Sequence, residues 1–119
     1  MANVRYLVHD VDAALALAER YDLYFVFVLF SAPSHVPAGW ISDPETRTAL
    51  IDALAPLFAR YASEPRIVAW EVVNEPEWDI AAGLVRDVAL RDWVTAFAAA
   101  IHEESRAAVT VGSATIGDL

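Results

Sequence analysis

The run Ile67-Val68-Ala69-Trp70-Glu71-Val72-Val73 passes directly into Asn74-Glu75-Pro76, and the rest of this 119-residue chain is best understood from that junction. Its β-branched and aromatic content predicts a strand over 67–73. Pro76 has no backbone N–H, so the strand has to end before it. Side chains alternate along a strand, which places Glu71 and Glu75 on one face, and Pro76 favours an extended conformation at Glu75.

Two further strands are predicted, one on each side of this junction in the chain. The eight-residue apolar run from Leu23 to Phe30 predicts a strand over 23–29. It lacks the alternation of a half-exposed strand, so we expect a parallel strand that is covered on both faces. Val109-Thr110-Val111 predicts a third, short strand that ends at Gly112.

The segments before and after the first strand differ in character. Asp10 is expected to cap a helix from Val11 to about Arg20, which is rich in Ala and Leu. Residues 31–40 contain Pro, Gly and Ser and predict a loop. That loop is longer than the 2–6 residues that are typical between a strand and a helix, and long loops are often functional.

Two later helices complete the pattern. Asp43-Pro44-Glu45 has the cap, first-turn proline and acidic residue of a helix start, and predicts a helix to about Tyr61. Pro56 is expected to kink that helix or move its boundary. Residues 74–79 are expected to leave the second strand as a loop, and a third helix should begin within 81–88 and run to Glu103.

The resulting order, helix and strand in alternation, predicts an α/β fold with parallel strands and right-handed crossovers. We expect one unit over residues 1–119 without an internal linker. Both an open doubly wound sheet and a closed (β/α)8 barrel use this order, and three strands complete neither. In either architecture the active site lies at the carboxyl ends of the strands, where Asn74 and Glu75 are expected.

Composition limits the function. The net charge of −9 argues against nucleic acid and anionic membrane surfaces as partners. The longest apolar run has eight residues, whereas a membrane span needs about 20. The N-terminus lacks the layout of a signal peptide, which leaves the localisation open. Without cysteine or closely spaced histidines, we expect no metal and no other cofactor.

The segment Trp70 to Pro76, read with its surroundings, resembles the Asn-Glu-Pro signature of glycoside hydrolases related to family 5, the cellulase and mannanase-like enzymes of the large retaining barrel clan. The resemblance extends to 16–24, which is similar to the second helix and third strand of that barrel, and to 109–112, which is similar to the fifth strand. It therefore implies that the chain corresponds to about strands 3 to 5 of a (β/α)8 TIM barrel.

This resemblance implies roles for two residues. Glu75 would be the acid/base catalyst in the hydrolysis of a β-linked polysaccharide or oligosaccharide, and Asn74 would hydrogen-bond the sugar 2-hydroxyl. The nucleophile of the family is a second Glu on the seventh strand, and no strand after 109–111 supplies it here. We therefore expect the chain alone to be inactive, with activity in a full-length parent.

Four further side chains belong to the segments around the predicted site. Glu71 would lie about 13 Å from Glu75 along an extended strand, beyond even the roughly 6.5–9.5 Å of inverting enzymes. We interpret it as an interior carboxylate that needs a cationic partner. Trp40 and Trp78 are candidates for stacking on sugar rings, although a Trp in a loop is more often a packing anchor. His35 is expected to be a solvent-exposed loop residue.

Two further hypotheses do not require catalysis. The chain could be a self-contained α/β module that binds carbohydrate, whereas its scattered glycines form no nucleotide-binding turn. It could also be a self-assembling module, because a partial barrel has open strand edges that invite pairing. The apolar fraction of 57% also exceeds the usual 45–50% or so. We therefore expect an oligomer, a domain-swapped form or a poorly soluble chain.

Overall fold

The computed structural model describes residues 4–115, apart from the side chain of Ala38. Its elements in chain order are α1 (Val4–Tyr21), β1 (Phe25–Phe30), a 3-10 turn (Pro33–His35), α2 (Ala38–Ser42), α3 (Pro44–Arg60), β2 (Ile67–Val73), α4 (Pro76–Ala81), α5 (Asp87–Glu104) and β3 (Ala108–Thr110). The strands form one parallel sheet in the order β1-β2-β3. The predicted α/β class is confirmed, and this open sheet is compatible with part of a (β/α)8 barrel.

Side chains in one row of the sheet pack against the helices. In parallel strands, residues in register point to the same side. Trp70 of β2 is in register with Phe27 and Val109, is 1% exposed, and packs against the ring of Phe58 in α3 at 5.3 Å. This row therefore faces the helices and forms the centre of the core.

The opposite face of β1 corrects a prediction. Val26 and Val28 are 48% and 49% exposed, so β1 is not covered on both faces. Val28 is in register with Glu71, which in turn pairs with Thr110. Helices do not cover these two positions of β1, although α5 packs against Phe30 at the end of the same row. In a closed barrel, side chains of further strands fill such positions. We call the row Val28, Glu71 and Thr110, with its neighbour Val26, the open face.

Helix α1 begins earlier than predicted. It starts at Val4, so Asp10 lies inside it and is not its cap. The apolar positions continue upstream at helical spacing, because Val4 and Val8 pack against the core on the same side as the buried Val11. The helix ends as expected at Tyr21, where Asp22 takes the left-handed conformation that commonly closes a helix.

Helix α3 has the predicted start. Asp43 is its N-cap and accepts a hydrogen bond from the Thr46 N–H at 2.9 Å. Pro56 does not move the helix boundary, since α3 continues one turn beyond it to Arg60. The preceding segment, predicted as a loop, contains the 3-10 turn and the short helix α2.

The segment after β2 differs from the prediction. Residues 76–81 form α4 in place of a loop, with Pro76 at the first helical position, where its missing N–H costs nothing. Helix α5 begins at Asp87, as expected, and buries Trp93 and Phe97 against the ring of Phe30. Among residues 4–115, no helix is long and apolar enough to cross a membrane.

Candidate functional site

The candidate site lies where the three strands end. The Asn74 N–H donates to the Phe30 carbonyl of β1 at 3.1 Å, and the Gly112 N–H, just beyond β3, donates to the Val73 carbonyl at 3.0 Å. The end of β2 is thus held by hydrogen bonds to the chain on both sides. Asn74 and Glu75 follow at once and are both partly buried.

Glu75 has an unusual backbone conformation. Its φ and ψ are 48° and 49°, the left-handed region, and not the extended conformation predicted from Pro76. The chain has to turn sharply there, because β2 ends at Val73 and α4 begins at Pro76. A non-glycine residue held in this region costs about 1–3 kcal/mol, and such strain is concentrated at functional sites.

The turn at Glu75 changes what its side chain can do. Glu75 occupies the N-cap position of α4, but its side chain makes no capping hydrogen bond. The carboxyl group of Glu75 is therefore not engaged in capping α4. The strand alternation that placed Glu71 and Glu75 on one face does not extend to Glu75, because the left-handed turn lies between β2 and α4.

Glu71 and Asn74 approach each other at the end of β3. A Cβ placed on Gly112 would lie 2.6 Å from Asn74 Oδ1 and 2.7 Å from Glu71 Oε1. Both oxygens therefore border the same small space. Within residues 4–115 no cationic side chain forms an ion pair with Glu71, so the cationic partner expected for it stays a prediction.

Glu77, in the first turn of α4, was not singled out from the sequence. Its Oε1 accepts hydrogen bonds from the Ser113 hydroxyl at 3.0 Å and from the Ala114 N–H. Burial acts to raise the pKa of Glu77, but these bonds, with one from its own backbone N–H, outweigh it and lower the pKa. Glu77 therefore fastens α4 to the segment after β3 as an ionised carboxylate.

Asp79 makes the corresponding link to the segment after β1. It is 8% exposed and accepts a hydrogen bond from the Ser34 N–H at 2.7 Å. Sequence reasoning missed it, and the available signal was an acid between the apolar residues Trp78 and Ile80. Asp79 and Glu77 together connect α4 to both neighbouring segments at the carboxyl ends of the strands.

His35 is exposed, as expected, but it has a partner. The Ser31 hydroxyl lies 2.8 Å from His35 Nδ1, and which of the two groups donates depends on the tautomer. Ser31 directly follows β1, so this pair lies at the same edge of the sheet as Asn74.

The two tryptophan candidates have different surroundings. Trp78 lies in α4, is 57% exposed, and has a face available for stacking. Trp40 lies in α2, is partly buried and packs against the core, where it lines an apolar cavity of about 260 Å³ together with Leu29 and Trp70. Trp70 and Trp93, in contrast, are core residues, at 1% and 0% exposure.

Metal binding has no support in the described part of the chain. Residues 4–115 contain no group of three or more His, Asp and Glu side chains arranged to hold an ion.

One known protein provides a distant comparison. Over 81 residues the chain is 28% identical to a mannan endo-1,4-beta-mannosidase of Cryptopygus antarcticus. The match covers 65% of this chain and 21% of that protein, so the chain spans about a fifth of the length of this relative. No protein-family model matches the chain, and no solved structure matches it. The similarity indicates at most a glycoside hydrolase-like relationship.

Proposed function

We propose that this chain supplies the acid/base half of a retaining glycoside hydrolase site for a β-linked polysaccharide. The observation that carries the proposal is Glu75 itself. It follows the central strand, has a strained backbone, and keeps a carboxyl group that the next helix does not use. The distant likeness to a mannan endo-1,4-beta-mannosidase supports the same class of reaction.

In this reaction Glu75 donates a proton to the oxygen of the leaving sugar while a second carboxylate attacks the anomeric carbon. The C–O bond to the leaving group breaks and a glycosyl ester forms. Glu75 then removes a proton from water, which hydrolyses the ester. Asn74 hydrogen-bonds the 2-hydroxyl, a contact that strengthens toward the transition state. Trp78 offers an exposed ring for stacking against a sugar.

The second carboxylate has to lie about 5–5.5 Å from the first in a retaining enzyme. Glu77 is unsuited, because Ser113 and Ala114 already use one of its oxygens and the other oxygen is buried. Glu71 borders the space beside Gly112. Because the family that the sequence resembles takes its nucleophile from a later strand, we propose that the nucleophile lies outside residues 4–115 and that these residues alone do not complete the double displacement.

Substrate binding can be tested on the chain as it is. We expect β-1,4-linked manno-oligosaccharides to shift the NMR signals of the Asn74 amide and the Trp78 indole, and Asn74→Ala to weaken this binding. Glu103→Gln, an exposed change on α5, is the control. If titration with the oligosaccharides shifted the NMR signals of neither Asn74 nor Trp78, the proposed site would be wrong.

The acid/base role needs a longer protein with turnover. There, Glu75→Ala should slow aryl glycosides with poor leaving groups more than those with good ones, because only the former need the proton. Equal slowing for all leaving groups would contradict the role of Glu75. Conversely, turnover by the 119-residue chain that Glu75→Gln abolishes would show that the nucleophile lies within it.

A second candidate function is favoured by the open face. Val26 and Val28 present apolar side chains to solvent on β1, which is also an edge strand. Exposed strand edges with apolar residues promote pairing with another chain. We propose self-association through this face as the basis of a non-catalytic, carbohydrate-binding assembly.

A further inference from the structure

Gly112 is tied to the proposed site by a steric relationship. A Cβ on Gly112 would lie 2.6 Å from Asn74 Oδ1, 2.7 Å from Glu71 Oε1 and 3.1 Å from Glu71 Cδ. The first two separations are shorter than those that real Cβ atoms adopt. Any side chain at position 112 therefore has to displace Asn74, Glu71 or the backbone between them.

The backbone at Gly112 does not itself require glycine. Its φ lies outside the positive region, in contrast to Gly83 at 72°. Its N–H is engaged with the Val73 carbonyl at 3.0 Å, which fixes its position beside β2. The need for glycine is thus one of space and not of conformation.

The atoms that would have to move are the free ends of two side chains. Rotation about the side-chain bonds of Asn74 and Glu71 relieves the contact without moving either strand. An added methyl group at position 112 is therefore tolerated by the fold, but it changes where the amide of Asn74 points.

We infer that Gly112 is a positioning residue: its lack of a side chain creates the space in which Asn74 and Glu71 take up their orientation at the end of β3. The functional meaning of this inference rests on the proposed role of Asn74. The positioning itself is a property of the folded chain and is measurable without substrate.

Gly112→Ala is the test, with Gly39→Ala as the matched control. Gly39 has nothing within 4 Å of its Cβ position and no positive φ. We expect Gly112→Ala to shift the side-chain NH2 signals of Asn74 and the carboxyl carbon of Glu71 in NMR spectra. The thermal midpoint should stay within about 3 °C of the parent, as for changes without a core defect. Gly39→Ala should leave both side-chain signals in place.

Two outcomes would overturn the inference. One is an unchanged Asn74 side-chain signal in Gly112→Ala. The other is a large fall in the thermal midpoint or a failure to fold, since either would make Gly112 a structural residue. Because none of these readouts depends on hydrolysis, failure here is distinguishable from failure of the proposed function.

Discussion

Replacing Glu75 by glycine should make the chain more stable. Glu75 has a left-handed backbone, which costs an L-residue roughly 1–2 kcal/mol. Glycine adopts this region freely, but it loses about 0.5–1 kcal/mol more through the entropy of the unfolded chain. The net gain lies between about 0 and 1.5 kcal/mol, and its central value of roughly 0.8 kcal/mol corresponds to about 2–6 °C in the thermal midpoint for a chain of this size.

The matched control is Glu75→Ala, which removes the same carboxyl group but keeps a Cβ and hence the strain. The difference between the two variants isolates the backbone contribution from any effect of charge. The assay is urea unfolding followed by tryptophan fluorescence, at protein concentrations over which the midpoint is constant. A glycine variant that is no more stable than the alanine variant would refute the argument that Glu75 is strained.

Three further predictions concern other contacts. The hydrogen bond from Tyr61 is the main reason that the pKa of Asp12 is lowered, whereas burial and then Asp12 raise the pKa of Tyr61. The Asp12 contribution to stability is therefore lost as pH falls through the lowered pKa of Asp12 in the folded state. The Tyr61 contribution is lost as pH rises through the raised pKa of Tyr61. Tyr61→Phe should therefore make the free energy of unfolding, measured in urea, depend less on pH at both the acidic and the alkaline end. Val28→Arg should shift sedimentation toward the monomer by charging the open face, and an unchanged profile would contradict assembly through that face. Asp79→Ala leaves the Ser34 N–H without its acceptor and should lower the free energy of unfolding in urea by about 1–3 kcal/mol. Asp79→Asn is the control, because it keeps an acceptor oxygen. If Asp79→Ala lost no more stability than Asp79→Asn, the hydrogen bond would contribute little.

Local patterns were sufficient for the strands and for the start of α3. β2 lies where its β-branched and aromatic run predicts, at Ile67–Val73, because such side chains suit a buried parallel strand. Asp43 and Pro44 define the start of α3 through chemistry that acts within one helical turn. Both features depend on neighbours in the sequence, which sequence reasoning can evaluate.

The predictions are wrong or incomplete where contacts between residues distant in the sequence determine the local structure. Asp10 has the chemistry of a cap, but the packing of Val4 and Val8 against the core extends α1 past it. Pro76 favours an extended Glu75, but the step from β2 into α4 requires a left-handed turn. The hydrogen bonds of Glu77 and Asp79 join residues 36 to 45 positions apart, and no short sequence motif predicts them.

Such a site also limits what a protein engineer could transplant. Asn74 and Gly112 donate their backbone hydrogen bonds to Phe30 and Val73, so the end of β2 takes its position from the chain on either side. Moving only Asn74-Glu75-Pro76 into another scaffold would transfer the three residues but not these two hydrogen bonds. The smallest portable unit is the set of three strand ends together with α4, whose acids fasten it to the segments on both sides.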